Sequence, residues 1–124
     1  MSEVDGRLAE LGARYRASLP IKRASVELAW QALNSGAPDP VRLDSLQRIV
    51  HRIAGSAASY GYDEIGSLAA RADEGLELLR ELGVADVKAA SVAAALSELA
   101  PVIERLIDAL AQDSGPAPSV SRTH

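Results

Sequence analysis

Five stretches of the chain place apolar residues three and four positions apart, the spacing that forms one apolar face on an α-helix. The first two stretches predict helices over about 3–18 and 20–34, because Leu19-Pro20 interrupts the pattern and proline suits the first turn of a new helix. The apolar face of the first helix is Val4, Leu8, Leu11 and Tyr15. In the second helix the residues expected to face inward are Ile21, Leu28 and Ala32, with Val26, Trp30 and Leu33 beside them.

The remaining three stretches predict helices over about 41–59, 64–82 and 87–111. Gly61 and Gly83 follow the third and fourth helices, where glycine commonly ends a helix, and Asp63 is a candidate N-cap. Their apolar stripes are Leu43, Leu46, Val50, Ile53, Ala57 and Tyr60; Ile65, Leu68, Ala72, Leu76 and Leu79; and Val92, Leu96, Leu99, Ile103, Leu106 and Leu110. The last stripe keeps its phase across Pro101, so we expect that helix to continue there with a kink.

The connections between the predicted helices are short, which favours antiparallel neighbours. Residues 34–40 form the clearest linker, because they combine Asn, Ser, Gly, Pro and Asp. We therefore predict an all-α fold: an up-down antiparallel four-helix bundle with an additional N-terminal helix. A single domain would cover 1–111, and the Ser-, Pro-, Ala- and Gly-rich residues 112–124 would form a flexible C-terminal tail.

Composition narrows the classes of function. The chain has 124 residues and a net charge of −4, which argues against a nucleic-acid binder, and it contains no cysteine for disulfides, thiolate metal sites or a nucleophile. Its 48% hydrophobic residues include few aromatics and suit a helical core. No apolar run is long enough to span a bilayer, and the N-terminus lacks a signal pattern. We therefore expect a cytoplasmic protein. We also expect it to be a monomer.

The residue with the clearest chemical potential is His51. It follows the inward-facing Val50 by one residue, or about 100° of rotation, so it should lie at the edge of the apolar stripe and reach solvent. A histidine there is usually an ordinary surface residue. Gly55 lies one turn later on the same face, where glycine costs about 1 kcal/mol relative to alanine. It either allows close helix packing or leaves the imidazole open to an approaching group.

The segment around His51 resembles the signature of histidine-containing phosphotransfer (Hpt) domains. That signature has an aliphatic residue two positions after the histidine, glycine at four and glycine at ten. The matching residues are His51, Ile53, Gly55, Ser56, Ala57 and Gly61, with Leu46 before them and Tyr62, Ile65, Leu68 and Ala69 after them. Helix order and length extend the resemblance loosely from about Tyr15 to Leu110.

The resemblance implies a phosphorelay intermediate. His51 would accept a phosphoryl group from a receiver aspartate, of a response regulator or a hybrid histidine kinase, and pass it to another receiver. Neutral imidazole is a competent nucleophile near pH 7, and by analogy with the family Nε2 attacks. The domain would need no nucleotide, metal or other cofactor, since the Mg²⁺ belongs to the partner receiver.

Further site residues follow from the same resemblance. A Gln or acidic residue on the next helix often accepts from Nδ1 in the family, and Asp73 stands at that position; it is otherwise an ordinary surface carboxylate. The family's usual Lys, three residues after the histidine, is Ala54 here. Arg48 and Arg52 are the cations that could hold the phosphoryl group instead, because guanidinium recognises phosphoryl oxygens well.

We also expect the receiver to dock on a mostly apolar patch around His51, with a charged rim. The candidates on its face are Asp44, Arg48, Ala58 and Ser59.

Other functions stay open to different degrees. The bundle could act as an adaptor that binds receiver or kinase domains without being phosphorylated, and the missing Lys keeps this alternative open. A dimerising kinase domain usually has an acidic residue where Arg52 stands, and the chain is too short for the ATP-binding domain that follows. A carboxylate-bridged metal bundle needs Glu-x-x-His pairs, but Arg48 stands three residues before His51.

Overall fold

The computed structural model describes residues 3–35, 39–83 and 89–113, and these ranges contain four helices and no strand. The helices are α1 (Glu3–Asn34), α2 (Pro40–Ser59), α3 (Asp63–Leu82) and α4 (Ala89–Asp113). Each packs against the next, and α4 closes the ring against α1, with the most extensive packing between α2 and α3. The short connections make successive helices antiparallel, so the predicted up-down four-helix bundle is confirmed.

The core is made of apolar side chains from all four helices. The apolar stripes predicted for α2, α3 and α4 are buried along their whole length, with the exception of Tyr60 at the end of α2. Within the described ranges no polar or charged side chain is buried, and no buried side-chain N or O atom lacks a partner. Burial of the apolar stripes is therefore what holds the four helices together.

The prediction of an additional N-terminal helix was wrong. The two helices predicted before residue 35 form one helix, α1, which passes through Pro20. Pro20 is exposed, and its neighbour Leu19 is fully buried. Proline removes one backbone donor and crowds one carbonyl, but these effects fall on the solvent side here. Core contacts on both sides of Pro20 keep the helix in one phase, so tertiary packing overrides the local breaker.

The predicted inward face of the second segment was also wrong. Ile21 and Leu28 are 71% and 68% exposed, and Ala32 is exposed as well. Because α1 is continuous, its buried face keeps the phase set by Tyr15 and Leu19. The buried residues of α1 are accordingly Tyr15, Leu19, Val26, Trp30 and Leu33. The predicted face of the first segment reaches the core only at Tyr15; Val4, Leu8 and Leu11 are exposed.

The ends of α2 and α3 follow local rules with one correction. Asp39 caps α2, and its carboxylate accepts from the backbone N–H of Arg42 at 2.8 Å. Asp63 is not a cap: the N-cap of α3 is Tyr62, which makes no side-chain cap bond, and Asp63 is the first helical residue. Gly61 and Gly83 have φ of 86° and 73°, the left-handed conformation that ends a helix most easily at glycine.

At the C-terminal end, α4 runs unbroken through Pro101 as predicted and reaches Asp113. The kink expected at Pro101 stays a prediction. Tyr60, placed in the α2 stripe by sequence, is the C-cap residue of α2 and is 41% exposed. The expected tail falls on residues 112–124, of which 114–124 lie outside the described residues, so its flexibility is untested.

Two glycines of α3 mark where helices approach closely. A Cβ at Gly66 would lie 3.4 Å from the backbone nitrogen of Ala58 and 3.7 Å from the carbonyl oxygen of Ala54, so α2 and α3 nearly touch there. A Cβ at Gly75 would lie 2.8 Å from Cδ1 of the buried Leu99, on α4. A Cβ at Gly75 would require Leu99 to move, whereas a Cβ at Gly66 would be in ordinary contact with α2.

Gly75 and Gly55 form a matched pair for testing this packing. Gly55→Ala meets no atom within 4 Å outside its own turn and should stabilise the protein by up to about 1 kcal/mol. The free energy of unfolding should be roughly 1–3 kcal/mol lower for Gly75→Ala than for Gly55→Ala, because this is the usual cost of overfilling a core. In a Leu99→Ala background this deficit should vanish. Urea denaturation measures all of these differences, and equal gains at the two glycines would contradict close packing at Gly75.

Candidate functional site

His51 lies on α2 and points away from the core. Its side chain is 76% exposed, which confirms the exposure predicted from the edge of the stripe. One turn later, a methyl group at Gly55 would have no neighbour within 4 Å outside its own turn of helix. Ala58 and Ser59 are small and exposed beyond it. Another protein can therefore approach the imidazole from this side without meeting a bulky side chain.

The imidazole is tied to the neighbouring helix by one hydrogen bond. His51 Nδ1 lies 2.8 Å from Oδ2 of Asp73 on α3, and the Asp73 side chain is only 24% exposed. A carboxylate accepts hydrogen bonds and does not donate them, so Nδ1 carries the proton in this contact. The neutral ring then has its lone pair on Nε2, which bonds to no described residue.

The bond belongs to a regular set of contacts between two antiparallel helices. Each step toward the start of α2 is matched by an equal step toward the end of α3. The facing pairs are His51 with Asp73, Gln47 with Glu77, and Asp44 with Arg80. In the other direction Ala58 faces Gly66, where a Cβ would lie 3.4 Å from the Ala58 nitrogen. The register of α2 on α3 therefore decides which side chain meets the imidazole.

A polar network fills the groove beside this pair. The Gln47 amide donates to Asp73 Oδ1 at 3.2 Å and to Glu77 Oε1 at 2.9 Å. Its carbonyl oxygen accepts from Arg80, through Nε at 3.0 Å and through Nη2. Arg80 Nη2 also pairs with Asp44 Oδ1 at 3.1 Å. With Arg48, these side chains line a shallow groove of about 240 Å³ that opens beside the imidazole.

The two candidate cations differ in their surroundings. Arg48 Nε is paired with Asp44 Oδ2 at 2.9 Å, although its side chain is largely exposed. Arg52 is exposed and has no hydrogen-bond or ion-pair partner among the described residues. Ala54, which stands where the family's Lys is usual, is half-buried against the core.

The predicted apolar docking patch needs correction. The exposed residues are small and uncharged on the side that follows His51, at Gly55, Ala58 and Ser59. On the preceding side, the groove is lined by charged and polar groups. Sequence reasoning missed Gln47, Glu77 and Arg80. The helical spacing could have indicated Gln47 and Glu77, because Gln47 is one turn before His51 and Glu77 is one turn after Asp73, so each lies on the same helix face as its neighbour.

Tyr15 joins α1 to α2 one turn beyond the site. Its hydroxyl shares a 2.8 Å hydrogen bond with the hydroxyl of Ser56. Its ring stacks on Tyr60 with centroids 4.4 Å apart, and the Lys22 ammonium lies 4.7 Å from its centroid. Burial raises the pKa of Tyr15 above its ordinary value and outweighs the opposing effect of the Ser56 hydrogen bond. Burial likewise lowers the pKa of Lys22.

Comparison with known proteins identifies the family. A family model for the Hpt domain matches residues 10–113, most of the chain and all of the site. No curated protein and no solved structure matches the chain. The chain therefore belongs to the Hpt domain family, the helical bundles that carry out histidine phosphotransfer in the phosphorelays of two-component signalling and interact with receiver domains.

Two negative findings apply to the residues that the structure describes. No helix among them has both the length and the apolarity to cross a membrane. No group of three or more His, Cys, Asp or Glu side chains among them could hold a metal ion.

The raised pKa of Tyr15 predicts a pH dependence of stability. The unfolded chain loses the Tyr15 proton near pH 10, before the folded protein does, so the unfolding free energy should fall as pH rises further. The lowered pKa of Lys22 makes the unfolding free energy rise with pH instead. This contribution cancels in the comparison below, because both proteins contain Lys22. Denaturation of the parent and Tyr15→Phe between about pH 9 and pH 11 should give a shallower loss for Tyr15→Phe. Parallel slopes would contradict the argument.

Proposed function

We propose that this Hpt domain is a phosphorelay intermediate in which His51 accepts a phosphoryl group from a receiver aspartate and passes it to a second receiver. One observation carries the proposal: an imidazole that is 76% exposed has its Nδ1 held by Asp73 at 2.8 Å, while Nε2 bonds to no described residue. This is the arrangement that a nucleophilic imidazole needs, because the ring is oriented and its free lone pair is accessible.

The chemistry is a direct exchange between an oxygen and a nitrogen. The Nε2 lone pair of His51 forms a bond to phosphorus, while the bond from phosphorus to the receiver's aspartate oxygen breaks. The electron pair of that bond stays on the oxygen, so the receiver aspartate leaves as a carboxylate. Transfer to the second receiver reverses the step: its aspartate oxygen bonds to phosphorus and Nε2 recovers its lone pair.

Asp73 and the arginines support this exchange electrostatically. The ring gains positive charge as Nε2 bonds to phosphorus, and the Asp73 carboxylate stabilises that charge through the Nδ1 proton. Arg52 has no competing partner, so it is the more available cation for the phosphoryl oxygens; Arg48 must first release Asp44. They take the place of the Lys that Ala54 does not supply.

The partners of this reaction are receiver domains, of response regulators or of a hybrid histidine kinase, and the protein acts on them as a monomer. The receiver brings the Mg²⁺, and this chain contributes no metal or other cofactor. The docking surface centres on His51: Gly55, Ala58 and Ser59 give it a flat side, and Asp44 and Arg48 give it a charged rim.

Chemical phosphorylation tests the proposal without a cognate receiver. Incubation with phosphoramidate should place an acid-labile, base-stable phosphate on the parent protein, with ammonia as the leaving group. His51→Ala should fold normally, because the side chain lies outside the core, and should take up no phosphate. His124→Ala should label like the parent. Mass spectrometry and thermal melts measure these outcomes.

Acceptance from a receiver is tested next, with a panel of receiver domains loaded by acetyl phosphate. At least one should transfer its phosphoryl group to the parent and none to His51→Ala. Labelling of His51→Ala would contradict the assignment of the nucleophile. Binding of receivers by a parent protein that is never labelled would instead support the adaptor function.

Substitutions at Gly55 separate access from folding. Gly55→Ala and Gly55→Gln should both fold, since space around this position is open. The Gln side chain would occupy the path of the phosphoaspartate, and a displacement of about 1 Å in the reacting atoms can cost about 100-fold in rate. We therefore expect Gly55→Gln to transfer about 100-fold more slowly or worse, with an unchanged or higher melting temperature. A large drop in melting temperature, or transfer at the parental rate, would count against access as the role of Gly55.

A further inference from the structure

The polar network beside His51 has a feature that the proposed transfer does not itself require: the Gln47 amide is fully bonded. Both of its donors point to carboxylates, Asp73 and Glu77, and its oxygen accepts twice from Arg80. Carboxylates only accept and guanidinium only donates, so the amide cannot be reversed without losing these bonds. Gln47 is therefore held in one orientation by partners on the facing helix.

This orientation divides the Asp73 carboxylate between two donors. Gln47 occupies Oδ1 at 3.2 Å, and Oδ2 remains for His51 Nδ1 at 2.8 Å. The carboxylate plane is then fixed by two bonds from α2, one turn apart. With only one of these bonds, Asp73 could rotate about its side chain and turn away from the imidazole.

Arg80 is the second part of the arrangement. It is a cation on the same helix as Asp73, two turns away. Three acceptors hold it: Asp44 Oδ1 at 3.1 Å, the Gln47 oxygen at 3.0 Å, and Glu77 Oε1 at 3.6 Å. The same contacts fix the Gln47 oxygen, so that its amide nitrogen faces Asp73.

We propose that Gln47 and Arg80 are positioning residues that orient Asp73 and thereby keep the His51 proton on Nδ1 and the lone pair on Nε2. Neither residue touches the reacting atoms. The inference rests on the proposed function for its effect on transfer, but its effect on the imidazole tautomer is independent of any phosphoryl chemistry.

The first measurement is the tautomer. The chain has two histidines, so a His124→Ala background leaves the His51 ring as the only imidazole signal. Nitrogen-15 chemical shifts, recorded where the ring is neutral, report which nitrogen carries the proton. In the background protein the proton should reside on Nδ1. Gln47→Met, close in size but unable to donate, should increase the share of rings with the proton on Nε2.

Two further variants resolve the roles within the network. Gln47→Glu keeps an acceptor for Arg80 but replaces the donor to Asp73 with a like charge, so it should shift the tautomer at least as far as Gln47→Met. Arg80→Met should shift it in the same direction and to a smaller extent, because the Gln47 amide loses its anchor but not its donors. Gln31→Met and Arg71→Met are the matched controls, since both residues are exposed and lack described partners.

The second measurement is the rate at which phosphoramidate phosphorylates His51. This probe needs no docking surface, so it reports on the nucleophile alone. Gln47→Met should react more slowly by up to about 100-fold, the scale associated with misplacing a reacting group by about 1 Å. The controls should react at the parental rate, and the melting temperature should remain close to the parental value in every variant.

The two measurements separate the possible failures. Slower phosphorylation with a shifted tautomer and an unchanged melting temperature supports positioning. An unchanged tautomer in Gln47→Met and Gln47→Glu overturns it, whatever the rate or the melting temperature, because a merely structural residue would act on stability alone. If the parent protein takes up no phosphate at all, the proposed function fails, and the tautomer still decides whether these residues orient Asp73.

Discussion

The whole site depends on the close antiparallel contact between α2 and α3. Where Gly66 faces Ala58, a Cβ on Gly66 would already be in contact with the α2 backbone, at 3.4 Å from the Ala58 nitrogen, so the two helices pack closely. From that point the helices run side by side, and the pairing follows at each turn: Asp73 opposite His51 and Glu77 opposite Gln47. A shift of α3 by one residue would rotate Asp73 away by about 100° and leave the imidazole without its acceptor.

The candidate site combines an exposed imidazole with a largely shielded carboxylate. In the proposed transfer the imidazole must be open, because the phosphoryl donor and the phosphoryl acceptor would both be side chains of other proteins. Its partner Asp73 is largely shielded, and so it experiences weaker competition from water than a fully exposed carboxylate would. One hydrogen bond thus keeps the ring accessible and also fixes its orientation. No charged side chain is buried in the described part of the bundle.

The three helices that form most of the core could be predicted from the sequence, because their apolar stripes are regular. Glycine also marks the ends of α2 and α3. The sequence also indicated the candidate nucleophile His51 and its partner Asp73, through the resemblance to the family signature. The division of α1 at Pro20 was wrong because a local breaker was judged without the core contacts of Leu19, which only the assembled bundle supplies.

The network around Gln47 lay beyond sequence reasoning for a different reason. Its members are separated by about 30 residues along the chain, and each looks like an ordinary solvated helix residue. Only the register between α2 and α3 brings Gln47 and Arg80 together, and that register is set by packing. The polar character of the groove beside His51 has the same origin, since Asp73, Glu77 and Arg80 come from α3.

The turn between α2 and α3 is only three residues long, 60–62, and this has a consequence for how the site arises. His51, Asp73 and the network all lie within one helical hairpin, so their contacts close short loops at low entropic cost. The outer helices α1 and α4 supply core surface but no group that touches the imidazole. Substitutions on the exposed faces of those two helices should therefore leave the contact between His51 and Asp73 unchanged.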